Sequence, residues 1–352
     1  MKKLILVLLV SVITGFTGSL FGQNRFWVAA STSNWNNSAN WSTTSGGAGG
    51  ASVPGATEVA IFNANGLGNC NLDIAPTVAG ITVNGYTGTI NFQGNNLTTT
   101  GTNQFTTGTL TPGTTASLIL NTTTNTTFSG TTVSVNVSGS TGRLFFNGST
   151  FNGTVNVTKT DNNGDFSSGN NVFNGTTTLT NTGDGYILMG NTNRDQFNGV
   201  TTFNNNGGYR IYLAYNHGGQ TTTFANDVFL NTNKSGGTDA WSYLICEGTN
   251  TAVSFGGNVT INCGGTLQSN HRILQGTGTQ ATYAGTVTVN ATNTHTSTSI
   301  NMGANGTSVF NGNIVLNNPG GINGIYFNNG ASAASTLAAT RTITIGGSGF
   351  VA

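Results

Sequence analysis

A short segment recurs seven times between residues 151 and 317, and this repeat limits the possible folds more than any other feature of the chain. The pattern is approximately aromatic-x-Gly-x-apolar-x-apolar-Asn, at intervals of 22, 24, 27, 31, 28 and 27 residues. Repeats of this size are typical of solenoids, in which each unit forms one turn and stacks on its neighbours. The copies begin at Phe151, Phe173, Phe197, Phe224, Phe255, Tyr283 and Phe310.

Within each copy the pattern alternates with a period of two, which is typical of a strand. In one copy Phe255, Gly257, Val259 and Ile261 share a face, so we expect a single strand there. The segment FSGTTVSVNV from Phe128 resembles an eighth copy, with its valines out of phase by one inserted residue or a bulge.

A second apolar strand is predicted between successive copies, and its distance to the next aromatic residue is ten in four of five intervals. This constancy predicts one corner of fixed length, with insertions collecting at the other corner. The predicted strand centres are Ile187, Ile211, Ile245, Ile273, Ile300 and Ile325.

Together these patterns predict an all-β fold, a right-handed parallel β-helix with the aromatic residues in one internal stack. An antiparallel sandwich is the competing fold, but it would not need identical residues at equivalent positions of successive units. Seven residues after each aromatic lies a polar column at one corner, either an asparagine ladder or a left-handed turn. This column reads Thr158, Thr180, Asn204, Asn231, Asn262, Asn290 and Asn317.

Charged residues make up only 5% of the chain and its net charge is +1, which is unusual for a cytosolic enzyme. Glycoside hydrolysis needs two carboxylates beside one bond, and nucleic-acid binding needs clustered basic residues. The sequence therefore predicts no enzyme activity, no cofactor and no nucleic-acid partner. Isolated polar candidates are interpreted as turn, loop, surface or corner residues: Asp161 and Asp165, which are spaced as in a calcium loop, Asp184, Asp195, His217, His271 and His295.

The N-terminus has the features of a secretory signal peptide, with Lys2 and Lys3 before an apolar run from Leu4 to Ile13. We expect residues 1–22 to be removed on export, and no membrane span to remain, because that run and all later ones are too short. The expected location is extracellular or on a bacterial cell surface. Cys246 and Cys263 could pair there, although three cysteines do not form a disulfide framework.

Residues 23–75 contain three of the four Trp residues and precede the region of repeats, residues 76–352, whose clearest copies are 151–330. We expect this Trp-rich segment to cap the open end of the β-helix, and a sugar-stacking platform is the alternative. The text of residues 26–92 resembles the N-terminal region of large secreted surface proteins of bacteria that use type IX secretion. The residues that carry this resemblance are Trp27, Trp35, Asn40, Trp41, Ser42, Gly46, Gly47, Gly49, Gly50, Pro54, Val59 and Phe62.

The resemblance implies a surface-exposed β-solenoid without catalytic residues. The acidic run of that pattern is reduced to Glu58, and Ala29-Ala30 replaces its first Gly pair. The chain ends in strand-like text without the sorting domain of that route, so we expect a truncated chain or a different export route.

The predicted function is that of a structural or adhesive β-helix, with surface glycans or other cell-surface proteins as partners. The alternatives are a carbohydrate-binding module or a degenerate polysaccharide lyase, and then an ice-binding face, which is disfavoured because Phe229 and Val315 interrupt the outward Thr row. A ligand surface would lie at the variable corner, unless Tyr243 continues an internal column and Trp241 covers a loop. Its predicted residues are Trp241, Tyr243, Arg210, Tyr212, His271 and Arg272, with Lys234, Asp239, Tyr215 and His217 nearby.

Overall fold

The computed structural model describes most of the chain between residues 22 and 347. Between residues 101 and 150 only the backbones of the strands are described, and the signal-peptide prediction, Asp161, Asp165 and Asp239 lie outside the described residues. The remaining gaps are 92, 94, 96, 100, 152–153, 160–161, 163, 165–166, 235–240, 275, 319 and 331–333.

The described chain is nearly all β, with 37 strands in four sheets and one 3-10 turn at Ser38–Asn40. The first sheet contains Trp41–Ser42, Asn24–Trp27, Val59–Asn63, Gly80–Asn84, Asn103–Phe105, Thr126–Phe128, Ser149–Phe151, Val172–Phe173, Gln196–Phe197, Thr221–Phe224, Ala252–Phe255, Gln280–Tyr283, Thr307–Phe310 and Ala334–Leu337. The second sheet contains Ser33–Asn34, Cys70–Asn71, Thr89–Asn91, Thr109–Gly113, Thr132–Val137, Thr154–Lys159, Thr177–Asn181, Thr201–Asn205, Val228–Lys234, Val259–Gly265, Val287–Ala291, Ile314–Asn317 and Ile343–Gly346.

After the second sheet, a turn can contribute a strand to one of two shorter sheets, which belong to different halves of the chain. The four-stranded sheet belongs to the N-terminal half and contains Thr77–Val78, Leu97–Thr99, Ser117–Leu120 and Arg143–Phe145. The six-stranded sheet belongs to the C-terminal half and contains Ile187–Leu188, Ile211–Ala214, Trp241–Cys246, Asn270–Leu274, Ser299–Asn301 and Gly324–Tyr326.

In most turns the chain visits the first sheet, the second sheet and then one of the shorter sheets. Among the described residues, no strand of a shorter sheet follows Ser33–Asn34 or Thr154–Lys159 before the chain returns to the first sheet. Strands of successive turns pair in parallel; for example, Ala252–Phe255 pairs with Gln280–Tyr283. This arrangement confirms the predicted parallel β-helix and excludes the antiparallel sandwich. Within the described residues, no helix is long and apolar enough to cross a membrane.

The prediction that each repeat copy is a single strand is wrong. Phe255 ends a strand of the first sheet, and Val259 begins a strand of the second, so the repeat spans a corner. The third position of the pattern lies in this corner and is Gly in six of the seven copies, with Asn226 in the other. A Cβ atom at Gly285 would collide with the carbonyl oxygen of Gly257, one turn away. The Gly preference therefore reflects close packing of corners rather than a strand.

The aromatic residues of the repeat form a stack inside the β-helix. Phe151 and Phe173 have ring centroids 4.7 Å apart and an interplanar angle of 3°, and Tyr283 and Phe310 are 4.8 Å apart at the other end of the stack. All seven rings are buried. The eighth copy also joins this register, because Phe128 pairs with Phe151 and Val133 with Val155, which leaves one extra residue between Phe128 and Val133.

The asparagine column lies on the outer face of the second sheet, within strands rather than at a corner. In this ladder each amide donates a hydrogen bond to the side-chain oxygen of the residue one turn earlier. The distances from Nδ2 to Oδ1 are 2.9 Å for Asn231 to Asn204 and 2.8 Å for Asn262 to Asn231. Asn290 and Asn317 continue the ladder, with 2.8 Å at both steps. The ladder ties five successive turns together through side chains as well as backbone.

The predicted fixed corner is wrong, because two of the predicted strand centres are out of register. Ile211 pairs with Tyr243, Tyr243 pairs with His271, and His271 pairs with Ile300. Ile245 and Ile273 lie two residues further along the same strands and are also buried. Since these strands have two inward apolar positions, the spacing pattern selected the wrong one, and both corners vary in length.

The Trp-rich segment lies at the first end of the two large sheets. Asn24–Trp27 pairs antiparallel with Trp41–Ser42 and parallel with Val59–Asn63. Trp27, Trp35 and Trp41 are fully buried. Trp41 contacts both other indoles, and all three contact Phe62, with centroids 4.8 to 6.0 Å apart. A sugar-stacking platform on these rings is therefore excluded, because no ring face reaches solvent. The capping role stays a prediction.

Candidate ligand-binding face

The six residues of the predicted ligand surface separate into two groups on opposite faces of the six-stranded sheet. Tyr243 and His271 are fully buried in the inward column between Ile211 and Ile300. Placing them on the surface is therefore wrong, and the physical reason is strand alternation. The competing interpretation, in which Tyr243 continues an internal column, describes what is observed.

The inward group has its polar atoms paired inside the protein. The Tyr243 hydroxyl shares its one proton between the carbonyl oxygens of Phe203 at 2.9 Å and Asn231 at 2.6 Å. His271 contacts the Thr232 hydroxyl through Nε2 at 3.1 Å, and burial lowers its pKa to about 4. Lys234 is buried too, and its Nζ donates to the Trp241 carbonyl at 2.9 Å. None of these groups is placed to meet an external ligand.

The outward group comprises Arg210, Tyr212, Trp241 and Arg272. The structure adds three neighbours that the sequence pattern does not indicate: Tyr186, Leu188 and Glu247. Tyr212 and Leu188 form a small apolar cluster separate from the main core, against which Tyr186, Tyr215 and Trp241 pack. Tyr215 was noted only as a neighbour in sequence. We call this surface the aromatic–arginine face; it consists of Tyr186, Leu188, Arg210, Tyr212, Tyr215, Trp241, Glu247 and Arg272.

The aromatic rings of this face contact one another edge to face. The Tyr212 ring centroid lies 5.7 Å from that of Tyr186 at 83°, and 5.1 Å from that of Tyr215 at 84°. Such edge-to-face pairs add about 0.5–1.5 kcal/mol beyond area burial and hold the rings in place. Period-two alternation from the buried Ile211 would have identified Tyr212 as outward, but Tyr186 and Tyr215 lie outside the strands, where alternation predicts nothing.

Both arginines are held by aromatic side chains. The Arg272 guanidinium carbon lies 4.1 Å from the ring centroid of Trp241, a cation–π contact. Arg210 donates from Nη1 to the Tyr212 hydroxyl at 3.3 Å. These contacts order two long cationic side chains on one surface.

The charges of the face influence one another. Partial burial and the nearby positive charge of Arg210 lower the pKa of Arg272, with Glu247 opposing them. Burial raises the pKa of Glu247, while both arginines lower it. Buried atoms Nε of Arg272 and Oε2 of Glu247 have no hydrogen-bond partner among the described residues.

A second polar group is internal rather than superficial. Asp195 lies in a loop, as predicted, but it is fully buried, and so is His217. The Asp195 N–H donates to the Thr222 hydroxyl at 3.2 Å, and that hydroxyl contacts His217 Nε2 at 3.1 Å. Interpreting His271 as a surface or corner residue is wrong, because it lies within a strand and is buried. His217 lies in the corner between Ile211–Ala214 and Thr221–Phe224, as predicted, but it is buried, and His295 is half-buried.

Two further features of the described residues offer no catalytic arrangement. A cleft of about 710 Å³ beside Asn24–Trp27 has one charged lining residue, Arg25, which is engaged by Glu58 at 3.6 Å and Ser52 at 2.9 Å. Cys70, Cys246 and Cys263 are free and buried, so Cys246 and Cys263 are not paired in this structure. Within the described part of the chain, no three His, Cys, Asp or Glu residues come together as metal ligands.

The chain matches no protein-family model, and comparisons with curated proteins and with solved structures gave no match.

Proposed function

We propose that this chain is a non-catalytic structural and adhesive β-helix, exported and displayed outside a bacterial cell. The observation that carries the proposal is the unbroken stacking of turns, with an aromatic column inside and an asparagine ladder outside. Repeated columns of this kind stiffen a solenoid and provide an extended surface of neutral hydroxyl and amide groups. The signal-peptide pattern and the resemblance of residues 26–92 to secreted surface proteins support export.

Export and surface display can be tested in bacterial cells that express the full chain. We expect an N-terminus near Gln23 in the processed protein, and antibody labelling of intact cells or recovery from the medium. Retention of residues 1–22 with labelling only after permeabilisation would contradict the proposal.

Carbohydrate binding by the aromatic–arginine face is the second candidate function. Its supporting observation is the combination of the half-buried Tyr186, Tyr215 and Trp241 rings, which pack on the buried Tyr212, with guanidinium donors on one side of the solenoid. Sugars are bound in proteins by aromatic stacking together with hydrogen bonds from polar side chains.

Glycan-array binding of the wild type, Trp241→Ala and Tyr215→Ala tests this candidate, because both rings are half-buried on this face. We expect wild-type binding to some glycans and at least tenfold weaker binding by both variants. Phe229→Ala is the matched control, because Phe229 is a half-buried aromatic on the outer face of the second sheet. Equal loss in all three variants, or no binding by the wild type, would contradict this function.

A further inference from the structure

The aromatic–arginine face concentrates positive charge in a chain that has little charge elsewhere. Only 5% of all residues are charged, yet Arg210 and Arg272 are close enough to lower the pKa of Glu247 together, and Arg210 lowers that of Arg272. Glu247 compensates one of the two positive charges. Among the described residues, no ion pair within 4.0 Å joins it to either arginine.

Stacking leaves the hydrogen-bonding edge of a guanidinium available. A cation–π contact uses the flat face of the group, whereas its N–H donors lie in the plane and match a carboxylate bidentately. Arg272 is stacked on Trp241 at 4.1 Å, and its buried Nε has no partner among the described residues. Because Nε is enclosed while the Arg272 side chain as a whole is half-exposed, a carboxylate arriving beside Trp241 would bind at the terminal N–H groups.

The spacing across the face fits more than one sugar ring. Tyr212 pairs with Leu244, and Leu244 pairs with Arg272, so Tyr212 and Arg272 are two strands apart. At about 4.8 Å per strand, the two positions are separated by about 10 Å, which a disaccharide spans. Tyr212 and its partner Arg210 at one end, and Trp241 with Arg272 at the other, each combine an aromatic ring with a cation.

From this arrangement we infer that the face binds acidic oligosaccharides that carry carboxylate groups, such as oligouronates, in preference to neutral ones. The inference rests on the carbohydrate-binding function proposed above and specifies its ligand class. The half-buried Tyr215 and Trp241 rings supply stacking that any sugar can use, and the two guanidinium groups supply the selection for a carboxylate.

The test is calorimetric titration of the full chain with hexagalacturonate and with its fully methyl-esterified form. The two ligands share their sugar rings and differ in charge. We expect the acid to bind at least tenfold more tightly, with an affinity that falls between 50 and 500 mM NaCl because salt screens exposed charges. Arg272→Gln should remove the difference between the acid and the ester.

Arg341→Gln is the matched control, since Arg341 is exposed and lies outside the six-stranded sheet, and it should leave both affinities unchanged. Far-UV circular dichroism and the unfolding midpoint of each variant show that it remains folded. Equal binding of acid and ester overturns the inference but leaves carbohydrate binding in place. Binding of neither ligand overturns the inference, and binding of no glycan on the array overturns the carbohydrate-binding function as well.

Discussion

Two buried tyrosines allow the energy of a hydroxyl group to be tested with opposite expected signs. Tyr283 continues the internal Phe stack, with ring centroids 5.1 Å from Phe255 and 4.8 Å from Phe310, but its hydroxyl has no hydrogen-bond partner among the described residues. The Tyr243 hydroxyl shares its one proton between two carbonyl oxygens, at 2.9 and 2.6 Å. Both side chains are buried.

The same substitution should therefore stabilise one site and destabilise the other. An unsatisfied buried hydroxyl costs about 1–3 kcal/mol, so Tyr283→Phe should raise the free energy of unfolding by roughly 1 kcal/mol or more. Tyr243→Phe leaves the carbonyls of Phe203 and Asn231 without this donor and should lower the free energy by about 1–3 kcal/mol. Ring packing is retained in both variants, so apolar burial changes little.

Urea unfolding followed by far-UV circular dichroism measures both effects against the wild type. Equal slopes against urea concentration would show that the variants differ in stability and not in the surface exposed on unfolding. If unfolding is irreversible, unfolding rates in concentrated urea replace the equilibrium values. Destabilisation by both substitutions would refute the reasoning, because it would show that Tyr283 is bonded in the folded protein.

Three further predictions concern the buried acid, the ladder and the thiols. Burial outweighs the hydrogen bonds from Asn171 and raises the pKa of Asp195 from 3.8 to about 7, so its contribution to stability is highest below pH 3.8 and falls as the pH rises toward 7. At about 1.36 kcal/mol per pKa unit, Asp195→Asn should be more stable than the wild type by about 4 kcal/mol at pH 8 and similar to it at pH 4. Denaturant titrations at the two pH values measure this difference. Stability profiles that run parallel across pH for the variant and the wild type would contradict the prediction. His271 has the opposite effect, because its pKa is lowered from 6.5 to about 4 and the unfolded chain therefore binds more protons in this range. The free energy of unfolding of Asp195→Asn should accordingly decrease as the pH falls from 6.5 to 4. Asn262→Ala removes two amide–amide hydrogen bonds of the ladder and should lower the free energy of unfolding in urea by about 1–2 kcal/mol. Thr260→Ala, at an outward residue of the same strand, should lower it less. Equal losses in the two variants would show that the ladder does not contribute to stability. Because burial raises the pKa of all three thiols, Ellman's reagent should detect no thiol in the native protein and three after unfolding without reductant, and fewer than three would indicate a disulfide.

The repeat was sufficient to predict the architecture and the residues that stack within it. Equivalent positions of successive copies must pair in register when turns stack in parallel, so aligning the copies also aligned the aromatic rings and the asparagine amides. The same alignment was misleading where a strand has two inward positions. There, the spacing to the next aromatic residue places Ile245 and Ile273 level with Ile211 and Ile300, whereas Ile211 pairs with Tyr243 and Ile300 pairs with His271.

The candidate ligand face was only partly predictable. The composition of a variable corner indicates Arg210, Tyr212, Trp241 and Arg272, but it does not indicate which face of the sheet each residue occupies. This composition does not reveal the interactions of Glu247 with the two arginines or the contact of Arg272 with Trp241, because each joins residues 25 to 37 positions apart in the chain.

The sequence by itself determined the all-β class, the length of the turns and the contents of the two columns, because these follow from periodicity between neighbouring units. Only the tertiary structure decided where the corners lie, which polar groups are buried and which aromatic residues meet the two arginines. The physical reason is that the inward or outward direction of a side chain depends on the local strand register, and one residue of slip reverses it. Tyr243 and Trp241 show this, since one is inside the β-helix and the other contacts Arg272 on its surface.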